Sequence, residues 1–218
     1  MCIRDRYYTY FGVKNFLEGE FFSWYLNEWD DEIEEIIKQI VRTLLEYDIE
    51  SIIQDPSGAR DVFKLLYEEL VPRKEVRQKL GIYTTPDWLT ELIIEEILKK
   101  AKEDGKSDDE IINSKWLDPG CGTGTFLSLV IKKIAKIGKS IGIKPNELLR
   151  KICSNVIGFD IDSLSVLTAR ANYLIALASE RILEYKEDMK IEIPIYLANS
   201  IITARELEDT VRVDKKTH

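Results

Sequence analysis

The segment that decides the fold is Asp118-Pro119-Gly120-Cys121-Gly122-Thr123-Gly124-Thr125-Phe126-Leu127. It follows a short apolar run, residues 115–117, and leads into a stretch with apolar residues at helical spacing. A strand, a glycine-rich turn and a helix in this order form the nucleotide pocket of many α/β sheets. Glycine lets the backbone approach a ligand closely, and the first amides of the helix can face an anionic group such as a carboxylate. The acidic Asp118 before the turn favours a ligand with a positive centre over a pyrophosphate.

The composition is that of a folded protein. The chain has 218 residues, 44% of them hydrophobic, which is enough for one large domain or for one domain with an appendage. A net charge of −8 argues against a protein whose whole surface binds nucleic acid, although it leaves room for a local basic cleft. Three scattered cysteines are too few for a disulfide framework or a zinc site, so we expect a cytoplasmic protein. No apolar run is long enough to span a membrane.

Apolar periodicity divides the chain into a helical N-terminal region, residues 1–75, and an α/β part, residues 76–218. The first six residues have no periodicity and join abruptly to an aromatic-rich stretch, which suggests that they are not native. In the α/β part, strand and helix patterns alternate, which predicts a parallel sheet. Helices are predicted over residues 31–47, 86–98, 126–137, 145–152 and 164–178, and strands over residues 115–117, 156–159 and 193–197.

Local signals predict where several helices begin and end. Thr85 has the side chain of an N-cap and is followed by Pro86 at the first helical position. Gly138 is expected to end the helix that begins after the glycine turn. Residues 106–113 are expected to be a surface excursion, and the capping-box spacing of Ser107 and Glu110 supports at most a short helix there.

Polar side chains follow three successive predicted strands: Asp118, Asp160 and Asn199. Ligands of parallel sheets bind beyond the carboxyl ends of the strands, so we expect these side chains to share one site. A carboxylate after the second strand can accept both hydroxyls of a ribose, and an amide after the third can pair with an adenine edge. Taken singly, such an aspartate is more often a helix N-cap, a role open here to Asp162 or Ser163, and such an asparagine is usually part of a turn. Three of them at consecutive strand ends favour a nucleoside site.

The nucleoside that fits this polarity best is S-adenosylmethionine. A dinucleotide-binding turn has glycine where Thr125 stands here, and its acidic residue follows after about 20 residues, nearer than Asp160. S-adenosylmethionine carries a sulfonium, an ammonium, a carboxylate, a ribose and an adenine, which match the groups described above. An NAD-dependent oxidoreductase is therefore the less favoured alternative.

The same segments resemble the cofactor motifs of adenine-N6 DNA methyltransferases, most closely those of type I modification subunits and single-chain type IIG restriction–modification enzymes. Residues 118–127 resemble the glycine-rich motif, and residues 158–162 resemble the ribose motif. Gly81-Ile82-Tyr83-Thr84-Thr85-Pro86 resembles the upstream Gly-x-Tyr-Tyr-Thr-Pro segment, with Thr84 in place of the second tyrosine. Asn199-Ser200-Ile201 stands where the family often has Asp-Ser-Leu. The resemblance covers residues 60 to about 201.

This resemblance implies a Rossmann-like, S-adenosyl-L-methionine-dependent methyltransferase sheet after the helical N-terminal region. It implies double-stranded DNA as the partner of the complete protein, together with a specificity or nuclease subunit or domain. The family's catalytic Asn/Asp-Pro-Pro-Tyr/Phe motif is missing, because no two prolines are adjacent in this chain. We therefore expect a fragment that carries the cofactor half, has no catalytic residues and is inactive alone. The cofactor-binding residues that the resemblance implies are Tyr83, Thr85, Pro86, Asp118, Gly120, Gly122, Gly124, Thr125, Phe126, Asp160, Ile161 and Asn199.

Two further alternatives stay open at this point. The chain could be a module that binds S-adenosylmethionine without catalysis and acts in assembly or regulation, which a natural stop codon after His218 would favour. The same cofactor half also serves RNA and protein methyltransferases. The Tyr-Thr-Thr-Pro segment upstream of the glycine turn favours DNA adenine over these substrates, by resemblance alone.

Overall fold

The fold is known from a computed structural model that describes residues 29–45, 85–183 and 191–201. Tyr83 and most of the predicted N-terminal region lie outside the described residues, so the domain boundary near residue 75 stays a prediction. The helices are α1 Asp31–Leu45, α2 Asp87–Glu103, α3 Asp108–Asn113, α4 Thr125–Ser140, α5 Pro145–Asn155 and α6 Ser163–Ser179. The strands are β1 Trp116–Asp118, β2 Val156–Asp160 and β3 Ile195–Leu197.

The three strands form one parallel sheet in the order β1-β2-β3. Asp118 pairs in register with Gly158, and Asp160 pairs with Leu197, so successive strands end at the same edge of the sheet. The predicted α/β fold with a parallel sheet is thereby confirmed. The outer edge of β1 has no strand partner among the described residues, and Leu117 on this strand is 59% exposed.

Helix α4 lies at the centre of the core. It packs against α2, α3, α5 and α6 and against strands β1 and β2. Its apolar side chains recur at helical spacing, and Leu127, Val130, Ile131 and Ile134 among them are buried. Because α4 starts directly after the glycine turn, the position of that turn is set by the packing of the whole core.

Helix α2 begins later than the sequence predicts, and the assignment of Thr85 as its N-cap is wrong. Pro86 is the N-cap residue, with φ −59° and ψ 141°, and no side chain caps the helix. The Pro86 carbonyl accepts hydrogen bonds from the amides of Leu89 and Thr90, both at 3.1 Å. The pyrrolidine ring fixes φ but leaves ψ free, so a proline can stand just outside a helix as well as at its first position.

The prediction that Gly138 ends its helix is also wrong, because α4 continues to Ser140. A Cβ atom added at Gly138 would lie 2.7 Å from Cδ1 of Leu148. Gly138 therefore allows α5 to approach α4 closely instead of stopping the helix. The left-handed glycine after the helix is Gly142, with φ 80°.

The capping box at the start of α3 is confirmed. The hydroxyl of Ser107 accepts a hydrogen bond from the Glu110 amide at 3.2 Å, and the Glu110 carboxylate accepts one from the Ser107 amide at 2.8 Å. However, Ile111 and Ile112 are buried, so this short helix is part of the core and not a surface excursion.

Strand β3 begins at Ile195, two residues later than predicted. Pro194 has no N–H group for a strand ladder, although its carbonyl accepts a hydrogen bond from Gly158 at 2.9 Å. The buried guanidinium of Arg170 in α6 donates two hydrogen bonds to the Ile195 carbonyl, at 3.0 and 2.8 Å. These bonds fix the start of β3 against α6.

Helix α1 confirms most of the helix predicted over residues 31–47. The Asp30 carboxylate accepts a hydrogen bond from the Ile33 amide at 2.8 Å, and acidic residues occupy the first turn. No helix in the described part of the chain combines the length and the hydropathy needed to cross a membrane.

Candidate nucleoside-binding site

The ends of β1 and β2 are joined by a side-chain hydrogen bond. Oδ2 of Asp160 accepts from the Gly122 amide at 2.8 Å, so the carboxylate after β2 is attached to the glycine loop after β1. Its other oxygen, Oδ1, accepts from the Asp162 amide at 2.9 Å. The structure therefore brings together two of the predicted groups, the glycine loop (residues 119–124) and the Asp160 carboxylate.

The glycines of this loop serve different purposes. Gly122 and Gly124 have φ values of 51° and 82°, in the left-handed region that glycine adopts without strain. A Cβ atom added at Gly120 or Gly122 would meet no atom within 4 Å, whereas one at Gly124 would lie 3.1 Å from Cβ of Ala169 in α6. Gly120 and Gly122 thus border open space that a ligand can enter, and Gly124 is a packing residue.

The first turn of α4 presents backbone N–H groups that no side chain caps. Its N-cap is Gly124, which has no side chain to accept a hydrogen bond. The first amides of an α-helix have no partner inside the helix. Within the described residues, the amides of Thr125 and Phe126 donate to no carbonyl or side chain. Such a helix start favours an anionic group.

Asp118 lies at the end of β1, half-buried, and its Oδ1 accepts a hydrogen bond from the Gly120 amide at 3.2 Å. Burial raises the pKa of the Asp118 carboxyl above its usual value. The hydrogen bond from Gly120 opposes this change, and the negative charge of Asp160 adds to it. Two carboxylates at neighbouring strand ends create a site that favours a cation.

Asp118→Asn is expected to make the protein without ligand more stable at neutral pH. Because the folded-state pKa is raised, the stability that Asp118 contributes is present below its usual pKa of 3.8 and is lost as pH rises through the raised value. An amide keeps the acceptor for Gly120 and removes the charge. Thermal melts between pH 3 and 8 should therefore show a higher melting temperature for the variant at neutral pH and convergence with wild type in acid.

The same substitution should weaken binding of a cationic ligand roughly 10- to 100-fold, since a hydrogen bond to a charged group contributes about 1.5–3 kcal/mol. A variant that is less stable than wild type at neutral pH, or that binds the ligand equally well, would contradict this account of Asp118.

Asp162, and not Asp160, caps helix α6. Its Oδ2 accepts a hydrogen bond from the Ser165 amide at 2.8 Å. The sequence left open whether the aspartate after β2 serves only as a helix cap. With Asp162 in that role, the Asp160 carboxylate is left for the glycine loop and for a ligand.

The remaining predicted site residues in the described part of the chain are Asn199, Ile161, Thr85 and Pro86. Asn199 follows β3, and its Oδ1 accepts from the Ile201 amide at 3.1 Å, which is the turn chemistry that the sequence offered as the alternative. Ile161, beside Asp160, is 70% exposed. Thr85 and Pro86 lie at the start of α2, and no hydrogen bond joins them to the glycine loop within the described residues.

Three buried residues that help to hold the loop in place were not among the predicted site residues. A Cβ atom added at Gly158 in β2 would lie 2.6 Å from Cδ1 of Leu127 and 3.0 Å from Sγ of Cys121. Burial raises the pKa of the Cys121 thiol, and the charges of Asp118 and Asp160 add to this, so the cysteine is a neutral packing group. The third residue, Asn172 in α6, donates a hydrogen bond to the Thr123 carbonyl.

Among the described residues, two cavities lie near α4. One of about 260 Å³ is lined by apolar side chains of α2, β1 and α4 and reaches Asp118. A larger one of about 350 Å³ is lined mainly by lysines of α4, and two of these pair with glutamates, Lys133 with Glu95 at 2.7 Å and Lys139 with Glu180 at 2.6 Å. The smaller cavity is therefore the one that adjoins the candidate site.

A likeness to a known protein covers part of the chain. No family model matches the chain, and no solved structure matches it. The adenine-specific methyltransferase PglX of Streptomyces coelicolor (strain ATCC BAA-471 / A3(2) / M145) is 26% identical over 136 residues, which are 61% of this chain. The chain spans 11% of the length of that relative.

Proposed function

We propose that this chain is the S-adenosylmethionine-binding part of a site-specific DNA adenine-N6 methyltransferase of a restriction–modification system. The observation that carries the proposal is the bond of 2.8 Å between Asp160 and Gly122, which unites the carboxylate after β2 with the glycine loop beside Asp118. The order of the sequence motifs and the similarity to an adenine-specific methyltransferase support the finer assignment.

The residues of the site fit the polarity of S-adenosylmethionine. Asp118 would attract the ammonium and sulfonium charges, and Asp160 would accept hydrogen bonds from the ribose hydroxyls. The uncapped amides of Thr125 and Phe126 would donate to the carboxylate. The open space beside Gly120 and Gly122 lets the ligand approach the backbone, because even a methyl group there would meet no atom within 4 Å.

The adenine and methionine ends would be bounded by residues that rest more on the sequence resemblance. Exposed Ile161 would pack on the adenine, and Asn199 would accept from its amino group, in competition with the turn bond to Ile201. Tyr83, Thr85 and Pro86 would border the methionine end.

When bound, S-adenosylmethionine supplies a methyl group made electrophilic by its sulfonium. This chain would bind and orient the donor, and double-stranded DNA would be bound by the complete protein, together with a specificity or nuclease subunit or domain. The residues that accept the amino hydrogens of adenine in the family are missing here, because the chain has no Pro-Pro motif.

Methyl transfer by the isolated chain is accordingly expected to be absent. The measurement is transfer of label from methyl-labelled S-adenosylmethionine to duplex DNA that contains adenine, followed over many hours at high protein concentration. Labelled N6-methyladenine in the product would contradict the prediction. A methyltransferase of known activity in the same buffer serves as the control.

Ligand choice separates the proposal from its main rival, an NAD-dependent oxidoreductase. A ligand that binds only the folded state stabilises it, by about 2.7 kcal/mol at a ligand concentration 100 times Kd. The melting temperature rises as a result. We expect S-adenosylmethionine and S-adenosylhomocysteine to raise it and NAD to leave it unchanged. Stabilisation by NAD alone would overturn the cofactor assignment.

A further inference from the structure

The glycine loop is held from behind by helix α6. Nδ2 of Asn172 donates a hydrogen bond to the Thr123 carbonyl at 2.9 Å, across 49 positions of sequence. Both residues are buried, with 2% and 6% of their surface exposed. The bond therefore lies inside the protein, on the side of the loop away from solvent.

A second contact of α6 touches the next residue of the loop. Gly124 approaches Ala169 so closely that an added Cβ would lie 3.1 Å from the Ala169 Cβ. Ala169 and Asn172 are three residues apart and share one face of α6. Two consecutive loop residues, Thr123 and Gly124, thus rest on one helix immediately before α4 begins.

The bond from Asn172 fixes the orientation of one peptide plane. The Thr123 carbonyl and the Gly124 N–H belong to the same planar unit, so they point in opposite directions. The carbonyl accepts from Asn172, and the N–H donates to the Cys121 carbonyl at 2.8 Å. Because both ends of this peptide plane are held by hydrogen bonds, the direction of the N–H groups that follow, at Thr125 and Phe126, is fixed as well.

Only one end of the Asn172 amide is paired within the described part of the chain. Oδ1 of Asn172 is buried and has no hydrogen-bond partner among the described residues. A buried acceptor without a partner destabilises the folded state, but an apolar side chain of the same size would leave the buried Thr123 carbonyl without its donor. The amide group of Asn172 is therefore explained by its bond to the glycine loop.

We infer that Asn172 is a positioning residue that orients the start of α4 toward the carboxylate of the ligand's amino-acid group. The inference rests on the proposed function, since it presumes S-adenosylmethionine in the site. Asn172 does not touch the ligand, and it acts through the Thr123 peptide. It should therefore matter for the amino-acid end of the ligand and not for the nucleoside end.

The test compares two ligands that share the nucleoside, S-adenosylmethionine and 5′-methylthioadenosine, which lacks the amino-acid group. Asn172→Ala is expected to weaken S-adenosylmethionine binding about tenfold and to change the affinity for 5′-methylthioadenosine by less than about twofold. Isothermal titration calorimetry on the full chain measures both. A role in folding alone would weaken both ligands equally.

A matched control is Asn155→Ala, at the junction of α5 and β2. Asn155 is 7% exposed, and its Nδ2 donates to the buried Ile112 carbonyl at 3.2 Å, at the end of β2 opposite the loop. This variant should lose stability and keep both affinities. If Asn172→Ala fails to fold, Asn172→Leu keeps the volume, removes the donor and is expected to show the same tenfold effect on S-adenosylmethionine alone.

The possible outcomes distinguish a failure of the proposed function from a failure of the role assigned to Asn172. If the wild-type chain binds neither ligand, the proposed function fails and the inference fails with it. If wild type binds both ligands and the Asn172 variants weaken both equally, or neither, the inference is overturned while the proposed site stands.

Discussion

Replacing Asp160 with alanine is expected to reduce the affinity for S-adenosylmethionine by at least about 100-fold. Two ribose hydroxyls would lose a charged acceptor, and each such hydrogen bond contributes roughly 1.5–3 kcal/mol. The substitution also releases the Gly122 amide, which Asp160 holds at 2.8 Å, so the glycine loop loses an anchor at the same time. Equilibrium binding of labelled S-adenosylmethionine to the purified chain measures the effect.

Asp162→Ala separates binding from folding in this experiment. Asp162 is two residues from Asp160 and caps α6 through the Ser165 amide at 2.8 Å. Its loss should cost about 0.5–2 kcal/mol of stability, as for other N-caps, and should leave the affinity unchanged. An Asp160 variant that binds as tightly as wild type would show that Asp160 only organises the backbone, and the ribose assignment would be wrong.

Gly124→Ala is expected to be the most destabilising change in the glycine loop. A residue with a Cβ atom pays about 1–2 kcal/mol in the left-handed conformation that Gly124 adopts. At φ 82°, the new Cβ would also lie 3.1 Å from the Ala169 Cβ and 3.2 Å from its Cα. Neither α4 nor α6 can withdraw easily, because both are packed in the core. A loss of 1 kcal/mol lowers the melting temperature of a chain this long by roughly 2–4 °C, so calorimetry should resolve the change.

Gly120→Ala is the matched variant with the opposite expectation. Gly120 lies outside the left-handed region, and an added Cβ would meet no atom within 4 Å. Stability should change by less than about 0.5 kcal/mol, while the methyl group enters the space that the ligand would occupy and weakens binding. Equal loss of stability in the two variants would contradict the different roles assigned to these glycines.

The sequence predicted the parts of the site that depend on local order along the chain. The glycine loop and Asp160 after β2 follow from strand, turn and helix patterns over a few residues, and Asp162 was one of two candidates for the cap of α6. The parallel sheet brings the strand ends together. The parts it missed depend on contacts between distant residues. In the sequence, Asn172 is an ordinary helix residue, and its role is visible only once α6 is seen to pack behind Thr123. The need for glycine at position 158 is visible only from its close contact with Cys121.

Helix ends were mispredicted for the same reason. Gly138 has the residue type of a helix stop, but the approach of Leu148 from α5 explains the glycine, and the helix continues. Ile111 and Ile112 follow a well-formed capping box in a segment predicted to lie on the surface, yet both are buried, and α3 packs against α4. In each case the outcome was decided by a contact between helices that the local sequence pattern does not show.

The most direct test of the nucleoside site is isothermal titration calorimetry of S-adenosylmethionine into the wild-type chain at neutral pH, with NAD titrated in parallel. The account predicts saturable binding of one S-adenosylmethionine per chain and no binding of NAD. Absence of saturable S-adenosylmethionine binding by folded protein, or binding of NAD in its place, would contradict it.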